Sequence, residues 1–141
     1  MQWLFEDSGI DWAALSELHR IAPLSPKPPE HLKRAYAGSL HKCFVLNEGR
    51  LISAGRAIGD GIDCAYLCDI VVHPEFQGQG LGKALVLKLK ELSAGHRKII
   101  LYANPGKEAF YRKLGFRRML TAMAVFADEA RAIEKGFVER D

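Results

Sequence analysis

Apolar and polar positions divide this chain into short blocks whose period changes from block to block. Gln2 to Glu6 reads as a short first strand. Asp11 is placed to cap a helix running to about Arg20, with Leu15 and Leu18 turned inward. The run Pro23-Leu24-Ser25-Pro26-Lys27-Pro28-Pro29 holds four prolines and must be a loop. A second helix is predicted from Pro29 to Ala37. His41 to Leu46 and Leu51 to Ile58 then read as strands joined by a hairpin turn at Asn47-Glu48-Gly49-Arg50. After the turn Gly59-Asp60-Gly61, Cys64 to Val72 ends in an unbroken apolar run, as a strand covered on both faces does.

The next helix carries Leu81, Ala84, Leu85, Leu89 and Leu92 on one face and is closed by Gly95. Lys98 to Tyr102 is a strand, and Pro105 to Leu114 a short helix stopped by Gly115. Two further strands are expected at Phe116–Met119 and Ala122–Phe126, then a helical tail from Asp128 to Lys135, with 136–141 fraying. The predicted order is β-α-α-β-β-β-α-β-α-β-β, a mixed α/β chain of 141 residues and one domain spanning 1–141.

Where the fourth strand meets its helix, the chain reads Gln77-Gly78-Gln79-Gly80-Leu81-Gly82-Lys83. Glycines at alternate positions bare the main chain where a helix begins. Helix N-termini present unpaired N–H groups and a partial positive charge, so such a loop suits a phosphate or diphosphate. It is not a P-loop: Gly82-Lys83 is followed by Ala84, and no hydroxyl is placed to hold Mg²⁺. It is not a dinucleotide fingerprint either. The glycine spacing is wrong, and Arg97-Lys98 stands where an acidic residue is required.

Composition narrows the field. A hydrophobic content of 48% suffices for an ordinary core. A net charge of +3 with 26% charged residues is too mild to imply nucleic-acid binding. The apolar runs fall far short of a membrane span, and no secretory leader opens the chain, so a cytoplasmic protein is expected. Cys43, Cys64 and Cys68 lack a zinc spacing, and the five histidines form no metal motif; no metal is expected.

The glycine loop resembles the acyl-CoA signature of the GCN5-related N-acetyltransferases (GNAT family), Gln/Arg-x-x-Gly-x-Gly/Ala. A second stretch, Asn104-Pro105-Gly106-Lys107-Glu108-Ala109-Phe110-Tyr111-Arg112-Lys113-Leu114-Gly115-Phe116, resembles that family's other signature, Asn followed by Ala-x-x-Phe-Tyr-x-Lys-x-Gly-Phe. The likeness is specific from about Asp69 to Phe116. It implies the acyl-CoA N-acyltransferase fold, with a mixed sheet splayed between its fourth and fifth strands. It also implies acetyl-CoA as co-substrate. The end of the fourth strand, Ile70, Val71 and Val72, would offer main-chain donors to the thioester and pair with pantetheine. Gln77, Gly78, Gln79, Gly80, Leu81, Gly82 and Lys83 would hold the diphosphate. Asn104 would bind the pantetheine arm, Tyr111 would protonate the leaving thiolate, and Lys107 is a weaker candidate for the 3′-phosphate.

A general base is harder to find. Alternation puts Cys64, Tyr66 and Cys68 on one face and Asp69 on the other. Asp69 is the leading candidate; a water chain, or Cys68 as an acyl carrier, are the alternatives. Cys68-Asp69-Ile70-Val71-Val72 resembles the Glu-Asp-Val-Val-Val of glucosamine-phosphate acetyltransferases, but Cys replaces Glu, which speaks against a sugar-phosphate acceptor. By the resemblance, Ile21 to Glu30, Tyr36 and Met119 to Phe126 would surround the acceptor, with His31 and Arg34 as weaker candidates for an acceptor carboxylate. The expected activity is acetyl transfer to the primary amine of a small molecule. A peptide or protein acetyltransferase and a non-catalytic acyl-CoA sensor stay open. The resemblance allows a homodimer, and nothing in the sequence decides it.

Overall fold

In chain order the computed structural model, which describes residues 1–141, runs β1 (Gln2–Leu4), α1 (Trp12–Ile21), α2 (Pro29–Ala37), β2 (His41–Asn47), β3 (Arg50–Gly59) and β4 (Cys64–Val72). A 3₁₀ turn (Pro74–Phe76), α3 (Leu81–Leu92), β5 (Lys98–Ile100), α4 (Glu108–Lys113) and α5 (Glu129–Glu134) follow. Two compact units result, Met1–Leu101 and Tyr102–Asp141.

The first unit holds a five-stranded sheet in the order β1-β2-β3-β4-β5. The first three pairings are antiparallel and β4–β5 is parallel. At the β2–β3 hairpin, Glu48 and Gly49 both have positive φ (52° and 76°), the pair of left-handed residues that a tight hairpin turn matching strand twist requires. Asp60 shapes the β3–β4 turn by accepting from the amides of Ile62 (2.9 Å) and Asp63 (2.7 Å). Asp11 caps α1 as expected, accepting from the Ala14 amide at 3.0 Å.

Neighbouring residues of β2 point to opposite faces of the sheet. Phe44 joins Leu15, Leu18, Leu32, Tyr36, Ala54 and Val71 in the core under α1 and α2. Val45 joins Ile52 and Leu81 under α3. Trp12, Tyr36 and Phe44 pack ring against ring at 5.1–6.1 Å between centroids. Gly55 lets α3 lie close: a Cβ there would meet Ile70 Cδ1 at 2.9 Å and Leu89 Cδ1 at 3.1 Å. No helix is long and apolar enough to cross a membrane.

The second unit is thinly packed. Leu114 and Ala132 are its buried hydrophobic residues. Tyr102, Phe126 and Phe137 form an aromatic trio at 5.3–6.1 Å. Gly115 and Gly136 end α4 and α5 with φ of 93° and 80°, and the next amides reach back to the Tyr111 and Ala132 carbonyls.

One sequence expectation is corrected here. The closing strands at Phe116–Met119 and Ala122–Phe126 do not form; the stretch is irregular, bends at Leu120–Thr121, and leads into α5. Its alternation is real, but a strand exists only by pairing, and residues 117–127 make no main-chain hydrogen bond.

Leu85 is fully buried where α3 meets β3. Leu85→Ala is expected to cost about 2–5 kcal/mol through lost burial and a residual cavity, read as a lower urea midpoint at unchanged m-value.

Candidate active site

The strand–loop–helix crossing at the end of β4 is held by side chains that face back onto the strand. Gln77 Nε2 donates to the Val72 carbonyl at 2.9 Å, and Ser53 Oγ to the Val71 carbonyl at 2.8 Å. The His73 amide donates to the Ile52 carbonyl at 2.8 Å, and its ring Nδ1 accepts from the Glu75 amide at 3.1 Å. Gly78 and Gly80 have φ of 77° and 84°, a conformation other residues adopt only with strain. Nothing lies within 4 Å of where their Cβ atoms would sit, so the main chain there is open to approach. Gly80 is the N-cap of α3 and contributes no capping side chain. The amides of residues 78–83 therefore donate to no protein acceptor, and the first helical bond is Ala84 N–H to the Gly80 carbonyl. Leu81 is buried beneath the loop; Lys83 is exposed.

Just before this loop, β4 carries a bulge. Ala54 pairs with Val71 and Arg56 with Cys68, so Asp69 and Ile70 together oppose Gly55. Asp69 takes φ +55° to accommodate the extra residue. On the other side, β5 pairs with β4 only at Cys64, Ala65 and Tyr66. From Leu67 to Val72 the β5-facing edge of β4 has no strand partner. The side chains of the three residues expected to hold a cofactor point into the protein: Ile70 toward Leu85 and Leu89 around Gly55, Val71 under the helices, Val72 against Gly82. Only their main chain is left to bind anything.

Asp69 anchors a buried ion cluster. Lys27 Nζ donates to its Oδ1 and Arg56 Nε to its Oδ2, each at 2.7 Å, and all three side chains are largely buried. Arg56 also reaches Ser39 Oγ at 3.2 Å and lies 5.9 Å from the Tyr36 ring centre. Burial works against the Asp69 carboxylate, but Lys27 and Arg56 outweigh it and hold its pKa below the ordinary value. Beside the cluster, burial pushes the Cys68 thiol up to about 11, so it is protonated at neutral pH and a poor nucleophile. Burial also lowers the His19 pKa; His19 Nδ1 lies 3.2 Å from the Ser25 carbonyl, tying α1 to the proline-rich loop. Ser16 Oγ donates to the Lys27 carbonyl at 2.7 Å. The loop is thus stitched to α1 and to the bulge together.

In the second unit, Asn104 is exposed and its carbonyl accepts from the Lys107 amide at 3.0 Å. Tyr111 is half-buried on α4, with edge contacts to Phe110 (5.0 Å) and Phe116 (6.0 Å). Burial raises its pKa, so the phenol keeps its proton at neutral pH. A wide cavity of about 620 Å³ in this unit is lined by Tyr102, Pro105, Arg112, Arg118 and Phe137, and by none of the expected site residues. His31 and Arg34 are exposed. The sequence reading missed Lys27 and Arg56. Neither lies near Asp69 in the chain, and a lysine among prolines carries no signal of an ion pair 42 residues on.

A model of the acetyltransferase (GNAT) family matches residues 12–116. The chain is 36% identical over 115 residues to serotonin N-acetyltransferase 2, chloroplastic, of rice (Oryza sativa subsp. japonica), covering 77% of this chain and 58% of that one. It is 32% identical over 112 residues to glucosamine 6-phosphate N-acetyltransferase of Trypanosoma brucei brucei, covering 78% and 71% respectively. The chain therefore spans less than two thirds of the rice relative's length. The fold superposes on a GNAT-family acetyltransferase of Streptococcus pneumoniae with a TM-score of 0.76 at 21% identity, over 89% of this chain and 96% of that one.

Removing the Asp69 charge strands two buried cations. Asp69→Asn is expected to lose about 3–5 kcal/mol at neutral pH. Because the folded pKa is depressed, this contribution is present above the unfolded value of ~3.9 and is lost as pH falls through the lower folded value. Urea unfolding should show a wide gap between wild type and variant at pH 7 that closes in strong acid.

Proposed function

The chain belongs to the acetyltransferase (GNAT) family, and from that premise we propose that it moves an acetyl group from acetyl-CoA to the primary amine of a small molecule. The observation that carries this reading is open main chain in two stretches, the β4 edge at 67–72 and the amides of 78–83, joined by a hydrogen-bonded turn at 73–77. A strand edge without a partner leads through that turn to a loop whose amides at 78–83 are unpaired and, at Gly78 and Gly80, unobstructed. An extended amide arm pairs with a free strand edge, as an added strand would. A diphosphate suits amides converging at a helix N-terminus.

The chemistry asks four things of the residues. Main-chain donors beside the Asp69–Ile70 bulge would polarise the thioester carbonyl as its oxygen gains charge. The amine nitrogen forms a bond to the carbonyl carbon, and the carbon–sulfur bond breaks. Tyr111, protonated at neutral pH, would give its proton to the departing sulfur. The nitrogen's proton goes to water. Asp69, the base the sequence suggested, is assigned an anchoring role instead: two cations occupy its oxygens and hold it ionised, which makes it a weak proton acceptor. Asn104 is assigned to the pantetheine arm.

The relatives' names support a small acceptor: one is named for serotonin, the other for glucosamine 6-phosphate. Cys68, standing where the sugar-phosphate enzymes carry Glu, argues against the second. All three cysteines are free, which supports a reducing compartment such as the cytoplasm, although the rice relative is named as chloroplastic.

The test is thiol release from acetyl-CoA against a panel of small amines and peptides. Turnover with a small amine is expected. Preference for peptides would replace the acceptor class, and tight coenzyme binding without any turnover would favour a sensor. Tyr111→Phe should lower kcat by about a hundredfold, within the usual worth of a positioned acid, with acetyl-CoA affinity by calorimetry unchanged. Unaltered turnover would remove Tyr111 from the mechanism. Gly80→Val, which strains a left-handed position and sets a branched side chain on the open face of the loop, should weaken acetyl-CoA binding and also lower the melting temperature by several degrees.

A further inference from the structure

Three buried side-chain polar atoms have no hydrogen-bond partner in the protein: His19 Nε2, Tyr36 Oη and Ser93 Oγ. Ser93 lies at the C-cap of α3. The other two belong to side chains that are 0% exposed, and both are within electrostatic reach of the Asp69 carboxylate and the Arg56 guanidinium. A buried donor or acceptor left unpaired costs about 1–3 kcal/mol. Two of them around one ion cluster point to a polar occupant that pairs with both.

The two atoms are complementary. The Ser25 carbonyl, 3.2 Å from His19 Nδ1, can only accept, which assigns the ring's proton to Nδ1 and leaves a lone pair on Nε2. Burial holds the Tyr36 phenol well above its ordinary pKa, so Oη keeps its proton and donates. A water accepts from the phenol and donates to the ring, as buried waters do between unlike polar groups.

The cluster also lacks any other site that could receive a proton at neutral pH. Both Asp69 oxygens are committed to Lys27 and Arg56. Burial pushes the Cys68 thiol up to about 11 and the Cys43 thiol, which faces Tyr36 from β2, up to about 12. His19 is the remaining group. Burial keeps its ring in the basic form, helped by Lys27 and Arg56 and opposed by the Ser25 carbonyl and Asp69. Asp69 is itself the bulge residue whose neighbouring main-chain donors are assigned to the thioester carbonyl, so the ring borders the reacting centre through this carboxylate.

On the premise of the acetyl transfer above, we propose that His19 Nε2 takes up, through water, the proton that the acceptor nitrogen sheds as the amide forms, with Tyr36 Oη donating to that water and holding it. The N–H bond of the former amine breaks, the water gains that proton and passes one of its own to Nε2, and the imidazolium releases it to solvent as products leave. His19 touches the water and not the substrate.

The test follows kcat at saturating acetyl-CoA and amine across pH, with the small amine that turns over fastest. Because the basic ring is required, wild type is expected to lose activity as pH falls along an acid limb below the ordinary histidine value of ~6.5. The limb should stay in place when amines of different basicity are compared, since it belongs to the protein. His19→Gln keeps a donor for the Ser25 carbonyl but has no basic nitrogen. It should lower kcat by about a hundredfold and abolish the limb, with the acetyl-CoA KM unchanged. Tyr36→Phe keeps the ring packed on Trp12 and Phe44; it should lower kcat less and keep the limb. Heteronuclear NMR of the wild-type ring needs no variant to fold: it should report the Nδ1–H tautomer at neutral pH and a titration that coincides with the limb. An active enzyme whose limb survives His19→Gln overturns this proposal alone, as does an Nε2–H tautomer or a ring that titrates elsewhere. Absence of turnover with every amine at every pH would remove the acetyl transfer itself, and this role for His19 with it.

Discussion

The Asp69 carboxylate, clasped by Lys27 and Arg56, is the interaction on which the architecture of the first unit turns. The bulge at Asp69–Ile70 puts a non-glycine residue at positive φ, a conformation the chain adopts only if something holds it. Two charge-assisted hydrogen bonds at 2.7 Å do so. Through Arg56 the carboxylate is tied to β3, and through Lys27 to the proline-rich loop between α1 and α2. Prolines stiffen that loop, but they do not position it; Lys27, Ser16 and His19 do.

The same bulge shapes what lies beyond it. An extra residue in β4 bends the strand and increases its local twist, and β5 stays paired for only three residues. The strand edge this leaves open is joined to the glycine loop by the short turn at Pro74–Phe76. Because Ile70, Val71 and Val72 turn their side chains to the core, and Gln77 commits its amide to the strand end, what the β4 edge and the glycines of the loop present is main chain. Its recognition chemistry is that of N–H groups, whatever the side chains are.

Elements whose cause is local were legible in the sequence. Asp11 as a cap, the hairpin at Glu48–Gly49, the stripe that makes α3 and the glycine that ends α4 all act within a few residues of themselves. The bulge was not legible, since nothing in Cys68-Asp69-Ile70 announces an extra residue by period. The partners of Asp69 were not legible, because charge pairing across 42 residues leaves no mark in either neighbourhood. The closing strands failed for a related reason. Alternation describes one strand, but a ladder belongs to two, and the second cannot be read from the first.

Burial is distributed very unevenly along this polypeptide. Up to Leu101, α1, α2, α3, β2, β3 and β4 each bury at least two side chains; past Tyr102, two hydrophobic residues are buried in all. A segment with so little apolar surface removed from solvent opens at small free-energy cost. Unfolding under heat or denaturant should therefore start in the carboxy-terminal forty residues. A protease meeting the native protein would cut there first, leaving the sheet and its ion cluster intact.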